Sequence, residues 1–345
     1  MGYFRIFAKN LSIDLGTANV LVHVEDKGTV LNEPAVVALD NITGEVIAFG
    51  REAFNMIGKT PENISVIKPL EDGVVSDFDI TKTLLEHCIK KAMPGVSLVQ
   101  PNVTITAPAG VSEVELRAIE DACIYSSVRG VYIVEGALAA AIGLGLDLDK
   151  PDGYMIVDMG AGNIEIAILS LNGIVASETI KAGGDFLNQR IIDYIYEKYA
   201  VNIGFLTAEQ LKNEGVNLKL DLGSSFGASA EEKCIPVSGR DILSGMPKTV
   251  YVYSSDLNNA IRQEVSIIVD KIQYILEKNP PELSSDIINN GIILTGGLSL
   301  MEGIAEMIED SLNIKVVRSE SPFEDTARGA GIIMANLDKF RSSRK

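Results

Sequence analysis

The chain has 345 residues, 46% of them hydrophobic, enough to bury two cores of ordinary size. Its 30 basic against 47 acidic residues leave a net charge of −17, which excludes a nucleic-acid partner, because a phosphate backbone is neutralised by clustered Lys and Arg. Cys88, Cys123 and Cys234 lie far apart and His23 and His87 stand alone, so neither a disulfide framework nor a zinc site is legible, and the cysteines read as buried small side chains in a reducing cytosol.

At the start of the chain, Tyr3, Phe4, Ile6 and Phe7 alternate with Arg5 and Lys9. The pattern suits either an aromatic face on a membrane, with cations at the headgroups, or a first edge strand. The run Asp14-Leu15-Gly16-Thr17-Ala18-Asn19 then stands between the apolar Leu11 and Ile13 and the apolar Val20 to Val22, as a tight turn between two strands. The same pattern, Asp-x-Gly-x-x-Asn, recurs at Asp158-Met159-Gly160-Ala161-Gly162-Asn163 between Met155 to Val157 and Ile164 to Ile168. Small residues in such turns leave backbone N–H groups uncovered, and a row of them is an anion-binding concavity. A matched pair predicts a duplicated architecture that clamps a polyphosphate from both sides, each turn adding one carboxylate toward a hydrated magnesium ion.

Between the two turns, Gly58-Lys59-Thr60 imitates the end of a phosphate-binding P-loop, but Ala53 stands where the first glycine belongs and Pro61 follows at once. Val103 to Thr106 reads as a strand, and Ser112 with Glu115 as the capping box of an amphipathic helix. After a further strand at Val131 to Val134, the small-residue stretch Gly136 to Gly145 predicts a helix in close contact with a neighbour, with the crossing between two halves as the candidate place. Gly143-Leu144-Gly145 is only a fragment of a dinucleotide fingerprint. Past the second turn, Thr207 to Lys212 opens a helix on which Glu209 and Lys212 share a face, either as a solvated ion pair or as ribose and base contacts. Leu257, Ile261, Val265, Ile268, Ile272 and Ile275 form one face of a helix from Asp256 to Lys278, ended by Pro280-Pro281. Gly291 to Leu298 is a buried strand running into Gly296-Gly297, with a helix from Glu302 to Leu312 behind it, a place where a flat ring or a phosphate lies against backbone. Lys339, Arg341, Arg344 and Lys345 surround Phe340 at a basic end. No signal peptide or run of about 18 apolar residues is present, so neither export nor membrane spanning is expected.

The two turns and the Thr295-Gly296-Gly297 turn resemble the superfamily of actin, heat-shock chaperone ATPases and sugar kinases. LSIDLGTANV (11–20), VLNEPAVVAL (30–39), GKTPENISVIKPLEDGVVSDF (58–78), AAAIGLGL (139–146), GGDFLNQRI (183–191), TAEQLK (207–212) and PPELSSDIINNGIILTGG (280–297) narrow the resemblance to the MreB family of bacterial actins, nearly end to end. The resemblance implies an α/β, actin-like fold of two domains, each with a large and a small subdomain, around a nucleotide cleft. Domain I would take 1–145, with a small subdomain at about 33–76 and a return at about 321–345, and domain II 146–320, with a small subdomain at about 183–254. It implies ATP or ADP with Mg2+, phosphates held by Gly16, Thr17, Ala18 and Asn19 and by Gly160, Ala161, Gly162 and Asn163, and Asp14 and Asp158 facing the magnesium through water. Glu209 and Lys212 would sit by ribose and adenine, and Gly296, Gly297 and Leu298 would line the adenosine pocket. It further implies self-association into protofilaments, with other MreB copies as candidate partners, on the anionic inner face of the cell membrane, in the service of cell shape. An apolar loop near Met93, Val96 and Leu98 is a second candidate membrane contact, because the family often inserts one near this position.

Two departures bear on hydrolysis. Family members usually read Glu-Glu-Pro-Met-Ala-Ala after the strand at Val131, the second Glu being associated with the attacking water; here Glu135-Gly136-Ala137 puts Gly136 in its place. The second turn usually carries Thr where Asn163 stands. Glycine has no group to orient a nucleophile, and an amide is no base, so binding is expected to survive while hydrolysis is weak unless Glu135 or another residue compensates. These substitutions resemble the MreB copies of wall-less helical bacteria, whose filaments are linked to body shape and swimming. A fully active filament ATPase, and a kinase or chaperone ATPase on the same fold, are the competing classes.

Overall fold

The computed structural model describes residues 10–94, 100–221 and 231–342. Tyr3 to Phe7 with Arg5 and Lys9, the loop residues Val96 and Leu98, and Arg344 and Lys345 lie outside them.

The chain opens on the hairpin β1 (Asn10–Leu15) and β2 (Asn19–Val24), extended by β3 (Gly28–Pro34). Then come β4 (Val37–Asp40), β5 (Val46–Phe49), α1 (Gly50–Phe54), β6 (Ile64–Ile67), β7 (Leu70–Glu71), β8 (Val74–Val75), α2 (Phe78–Ala92), β9 (Asn102–Ala107), α3 (Glu113–Ile124), β10 (Gly130–Glu135) and α4 (Gly136–Gly143). A second hairpin, β11 (Tyr154–Met159) and β12 (Ile164–Ser170), is extended by β13 (Gly173–Ile180) and leads to α5 (Gly184–Tyr199), β14 (Val201–Asn202), α6 (Phe205–Gly215), β15 (Cys234–Asp241) and β16 (Pro247–Tyr253). The chain continues through α7 (Ser254–Lys278), α8 (Pro281–Asn290), β17 (Ile292–Thr295), α9 (Ile304–Leu312), β18 (Val316–Arg318), α10 (Asp325–Ala335) and α11 (Leu337–Ser342).

Two five-stranded sheets repeat one topology, β10-β9-β1-β2-β3 and, in the same sense, β18-β17-β11-β12-β13. In the first, β1 pairs antiparallel with β2 and parallel with β9, which pairs parallel with β10. In the second, β11, β17 and β18 are likewise parallel. A tight turn makes the antiparallel neighbour, and helical crossovers make the parallel ones. The duplication seen in the turns is therefore a duplication of whole sheets.

By contacts the chain divides into one unit of Met1–Asp152, Ala167–Thr179 and Ser321–Lys345 and a second of Gly153–Ile166 and Ile180–Glu320. The core of the first lies between its sheet and α2 and α3, around Leu11, Ile13, Leu84, Leu85, Ile105 and Ile119. The Ser112 capping box forms as read: the Ser112 Oγ accepts the Glu115 N–H at 3.3 Å, and Glu115 accepts the Ser112 N–H at 2.7 Å. The small residues of α4 meet α10, where a Cβ on Gly143 would overlap the Asp325 carbonyl and one on Gly329 the Ala139 carbonyl. Both helices belong to the first unit, so this stretch is an internal helix crossing and not, as its composition suggested, a crossing between halves.

In the second unit α7 starts two residues before the predicted Asp256 and ends at Lys278, and all six residues of its predicted apolar face are at most 3% exposed. Asp256, buried at its N-terminal end, accepts hydrogen bonds from Lys198 and Tyr199 of α5 and from the Tyr253 N–H. Burial opposes ionisation of this carboxyl, but the donors outweigh it and hold the group below the ordinary carboxylate value. Replacing Asp256 with Asn should cost about 2 kcal/mol at neutral pH. The folded value lies below the unfolded one, so the contribution is complete above the unfolded pKa and is lost as pH falls through the folded one. Urea unfolding of parent and variant between pH 7 and pH 3 checks this: the gap should close only on the acid side.

Cys88 and Cys123 are buried, with thiols pushed up to about 12 by desolvation. Cys234 departs from the expectation and is exposed on β15.

Candidate functional site

Each predicted turn forms a candidate half-site within its own unit. In the first, the Gly16 N–H donates to the Asn19 carbonyl at 3.0 Å, closing the turn, and a Cβ on Gly16 would stand 2.8 Å from that oxygen. Only glycine permits so tight a closure. The loop is clamped on both sides: the Thr17 hydroxyl accepts the Gly73 N–H at 2.9 Å, and the Ala18 carbonyl accepts the Ala35 N–H at 2.8 Å. Because the hydroxyl is used as an acceptor, its own proton is directed elsewhere. Asp14, at the end of β1, accepts a hydrogen bond from the Thr106 hydroxyl at 2.7 Å. Desolvation pushes its carboxyl above the ordinary value, with the Thr106 bond opposing, and a cation beside it would relieve that strain. Thr106 was not singled out in the sequence as a site residue, and its only signal was a polar side chain ending an apolar strand.

The second half-site repeats the first. The Gly160 N–H donates to the Asn163 carbonyl at 3.0 Å, and a Cβ on Gly160 would stand 2.9 Å from that oxygen. Here the clamp is the first turn of α5: the N–H groups of Gly183, Gly184 and Asp185 donate to the carbonyls of Gly162, Gly160 and Ala161 at 3.4, 3.0 and 2.8 Å. The carbonyls are drawn back onto the helix, which leaves the opposite side of the loop to its N–H groups. Gly183 and Gly184 were legible only as part of a family stretch; their role is close approach, since a Cβ on Gly183 would overlap Ala161. Lys212 is 7% exposed and donates to the Gly184 carbonyl at 3.0 Å, so it is not half of a solvated ion pair. Glu209, one turn earlier on α6, is half-buried.

Gly296 closes the base of this half-site. It has φ +79°, which favours glycine, and a Cβ there would run into the Asp158 carboxylate and the Met159 carbonyl. Asp158 lies opposite Thr295 in the β11–β17 register, which brings the second turn and the Gly296-Gly297 turn together from far apart in the sequence. Gly297 and the buried Leu298 follow in a single tight turn, where the Ser299 hydroxyl donates to the Gly296 carbonyl at 2.6 Å. The helix expected at Glu302 begins at Ile304.

The Asn163 side-chain amide nitrogen is buried with no hydrogen-bond partner. Such a donor fits an anion or water oxygen that the polypeptide does not supply. Gly136 is the first residue of α4, in helical backbone, and is buried. Glu135, the last residue of β10, lines a cavity of about 630 Å3 in the first unit together with Glu120, Tyr132, Leu138 and Phe340. Among the described residues no group of three or more His, Cys, Asp or Glu is placed to hold a metal, so an ion at either half-site would meet one carboxylate and water. Gly58-Lys59-Thr60 leads into β6 and not into a helix, as a decoy should.

The family model described as MreB/Mbl protein matches residues 8–342. The chain is 41% identical over 335 residues to the cell shape-determining protein Mbl of Bacillus subtilis, covering 97% of this chain and 98% of the relative. The crystal structure of MreB5 of Spiroplasma citri bound to AMPPNP is similar with TM-score 0.89 and 32% identity, covering 98% of this chain and 99% of that one. The same protein bound to ADP matches with the same TM-score and identity over 99% of this chain and 100% of that one. A double helical filament of MamK, 22% identical with TM-score 0.78, covering 98% of this chain and 99% of that one, shares the fold.

Proposed function

The chain belongs to the MreB/Mbl family and has its α/β actin-like fold, and we propose that it is a cytoskeletal filament subunit that binds ATP with magnesium and hydrolyses it weakly. The observation that carries the reading is the twice-built turn, closed by the same 3.0 Å bond and entered each time from a strand that carries an aspartate. The nucleotide would supply a polyphosphate and its hydrated ion. Gly16 to Asn19 and Gly160 to Asn163 would hold phosphates through backbone N–H groups, and Asp14 and Asp158 would each face the ion's waters. Glu209 and Lys212 would lie by ribose and adenine, with Gly296, Gly297 and Leu298 against the adenosine. The relative crystallised with AMPPNP and with ADP supports this assignment.

Asp14→Ala and Asp158→Ala should each weaken magnesium-dependent ATP binding at least about tenfold, because each removes one negative charge facing a divalent ion. Titration calorimetry with and without magnesium measures it. Absence of ATP binding by the parent protein would remove the reading altogether.

Polymerisation by an acidic chain should depend on salt and divalent ions, since subunits of net charge −17 repel. Among the described residues no helix is long and apolar enough to cross a membrane. We assign membrane association to the basic C-terminal end, together with Tyr3 to Phe7. Lys339 is paired with Asp149 at 2.8 Å, but both side chains are more than half exposed, and so weak a pair yields readily to an anionic surface. Removing residues 339–345 should lower sedimentation with anionic vesicles several-fold in low salt and change nothing with neutral ones; equal sedimentation of both proteins would exclude the tail.

A further inference from the structure

The outer strand of the sheet β14-β15-β16 is β16, and among the described residues no strand pairs with its outer edge. Its register against β15 runs from Cys234↔Tyr253 to Arg240↔Pro247. The hairpin is closed by the Asp241 N–H on the Met246 carbonyl at 2.9 Å, and at the other end the Ser254 N–H donates to the Lys233 carbonyl at 3.0 Å. In an antiparallel ladder bonded positions fall at every second residue. Lys248, Val250 and Val252 therefore turn their N–H and C=O groups toward β15, and Pro247, Thr249, Tyr251 and Tyr253 turn theirs outward. Pro247 has no N–H, and the Tyr253 N–H is taken by Asp256 at 3.4 Å. Thr249 and Tyr251 remain, each presenting a donor and an acceptor at the edge.

Edge strands are ordinarily guarded by charge, proline or a covering element. Here Pro247 and Lys248 guard one end only, and the Thr-Val-Tyr-Val-Tyr run that follows favours strand pairing. Tyr251 and Tyr253 are 62% and 44% exposed on the outer face. The run carries no acidic residue, in a chain of net charge −17, and the one charge on the strand, Lys248, is bridged to Asp241 at 3.0 Å. The strand itself therefore adds no negative charge to the repulsion that opposes association.

We propose that β16 pairs antiparallel with β16 of a second copy of this chain about a two-fold axis at Val250. With the axis there, Thr249 stands opposite Tyr251 of the second copy, and both residues use donor and acceptor alike. Centring on Thr249 leaves the Tyr251 carbonyl facing a proline that has no N–H, and centring on Tyr251 leaves the Thr249 carbonyl facing the engaged Tyr253 N–H. Lys248 falls opposite Val252 and so does not meet its own symmetry mate. The contact is self-complementary and needs no nucleotide, so it goes beyond the proposed ATP chemistry.

The test is carried out without nucleotide or divalent ions. The full chain should show a concentration-dependent dimer in sedimentation velocity. Tyr251→Pro removes an outward N–H and an exposed ring but no ladder bond to β15, which an edge strand tolerates, and should lower the dimer association constant at least about tenfold with an unchanged far-UV spectrum. Independently, Val250→Cys in a Cys234→Ser background should form an intermolecular disulfide on mild oxidation, because residues facing each other at non-bonded positions have Cα atoms about 4.5 Å apart, within disulfide reach. Thr249→Cys in the same background, displaced from the axis, should cross-link much less. A chain that stays monomeric, as it would if this edge were kept for another protein, overturns the proposal. So does a dimer indifferent to Tyr251→Pro, or equal cross-linking at both positions. Each of those outcomes leaves nucleotide binding untouched.

Discussion

Gly136→Glu combined with Asn163→Thr should raise phosphate release by about a hundredfold over the parent, and by more than the product of the two single changes. Phosphoryl transfer to water rests on positioning and electrostatics, and a missing water-positioning group typically costs orders of magnitude in rate. The resemblance implies that both side chains address one water, so their effects should couple. The backbone does not stand in the way: Gly136 occupies helical backbone that any residue adopts, and the extra methylenes start at the first turn of α4. Asn163 already presents a buried amide nitrogen without a partner, so a shorter hydroxyl at that place exchanges one donor for another that is also an acceptor. Phosphate release followed together with light scattering gives rate and assembly in one experiment. A folded double variant no faster than the parent, or a parent as fast as ordinary family members, would falsify weak hydrolysis, with Glu135 then the first residue to test. The filament assignment would stand in either case.

Gly329→Ala should destabilise the first unit by about 3 kcal/mol, or more if α10 cannot shift. A methyl group usually stabilises a helical glycine position slightly by restricting the unfolded chain. Here it would overlap the Ala139 carbonyl, and the mirror contact of Gly143 on Asp325 blocks retreat in the other direction. The helices are further held by the Arg328 Nε, which donates to the Gly143 carbonyl at 2.9 Å. Thermal unfolding of Gly329→Ala beside Gly204→Ala, whose Cβ would meet nothing within 4 Å, separates the clash from the general effect of replacing glycine. Equal midpoints would show that α4 and α10 do not cross as tightly as described.

Much of the architecture was written locally. The apolar face of α7 follows from a period of 3.6 residues and was complete to the residue, and the Ser112–Glu115 box follows from a spacing of three. The two turns were legible because a strand, a small-residue turn and a returning strand are contiguous, and their closure at Gly16 and Gly160 involves partners only three residues away. The weight of the two half-sites was therefore in the sequence, together with the family that its longer stretches resemble.

What the sequence withheld are relations between distant segments, which no local period encodes. The pairing of β11 with β17 brings Gly296 against Asp158, the β1–β9 pairing lets Thr106 reach Asp14, and the packing of α6 on α5 buries Lys212 against Gly184. Lys212 read alone had an equal claim to solvent. The small residues of α4 announced a close contact without naming its partner, because composition specifies that a helix can approach a neighbour but not which neighbour the chain returns to it. The sequence by itself determined the elements, the turns and the chemistry each turn can offer. Tertiary structure alone decided which carboxylate is desolvated, which lysine is buried and which glycine stands against which backbone, since each depends on a register or a helix crossing set by the whole fold.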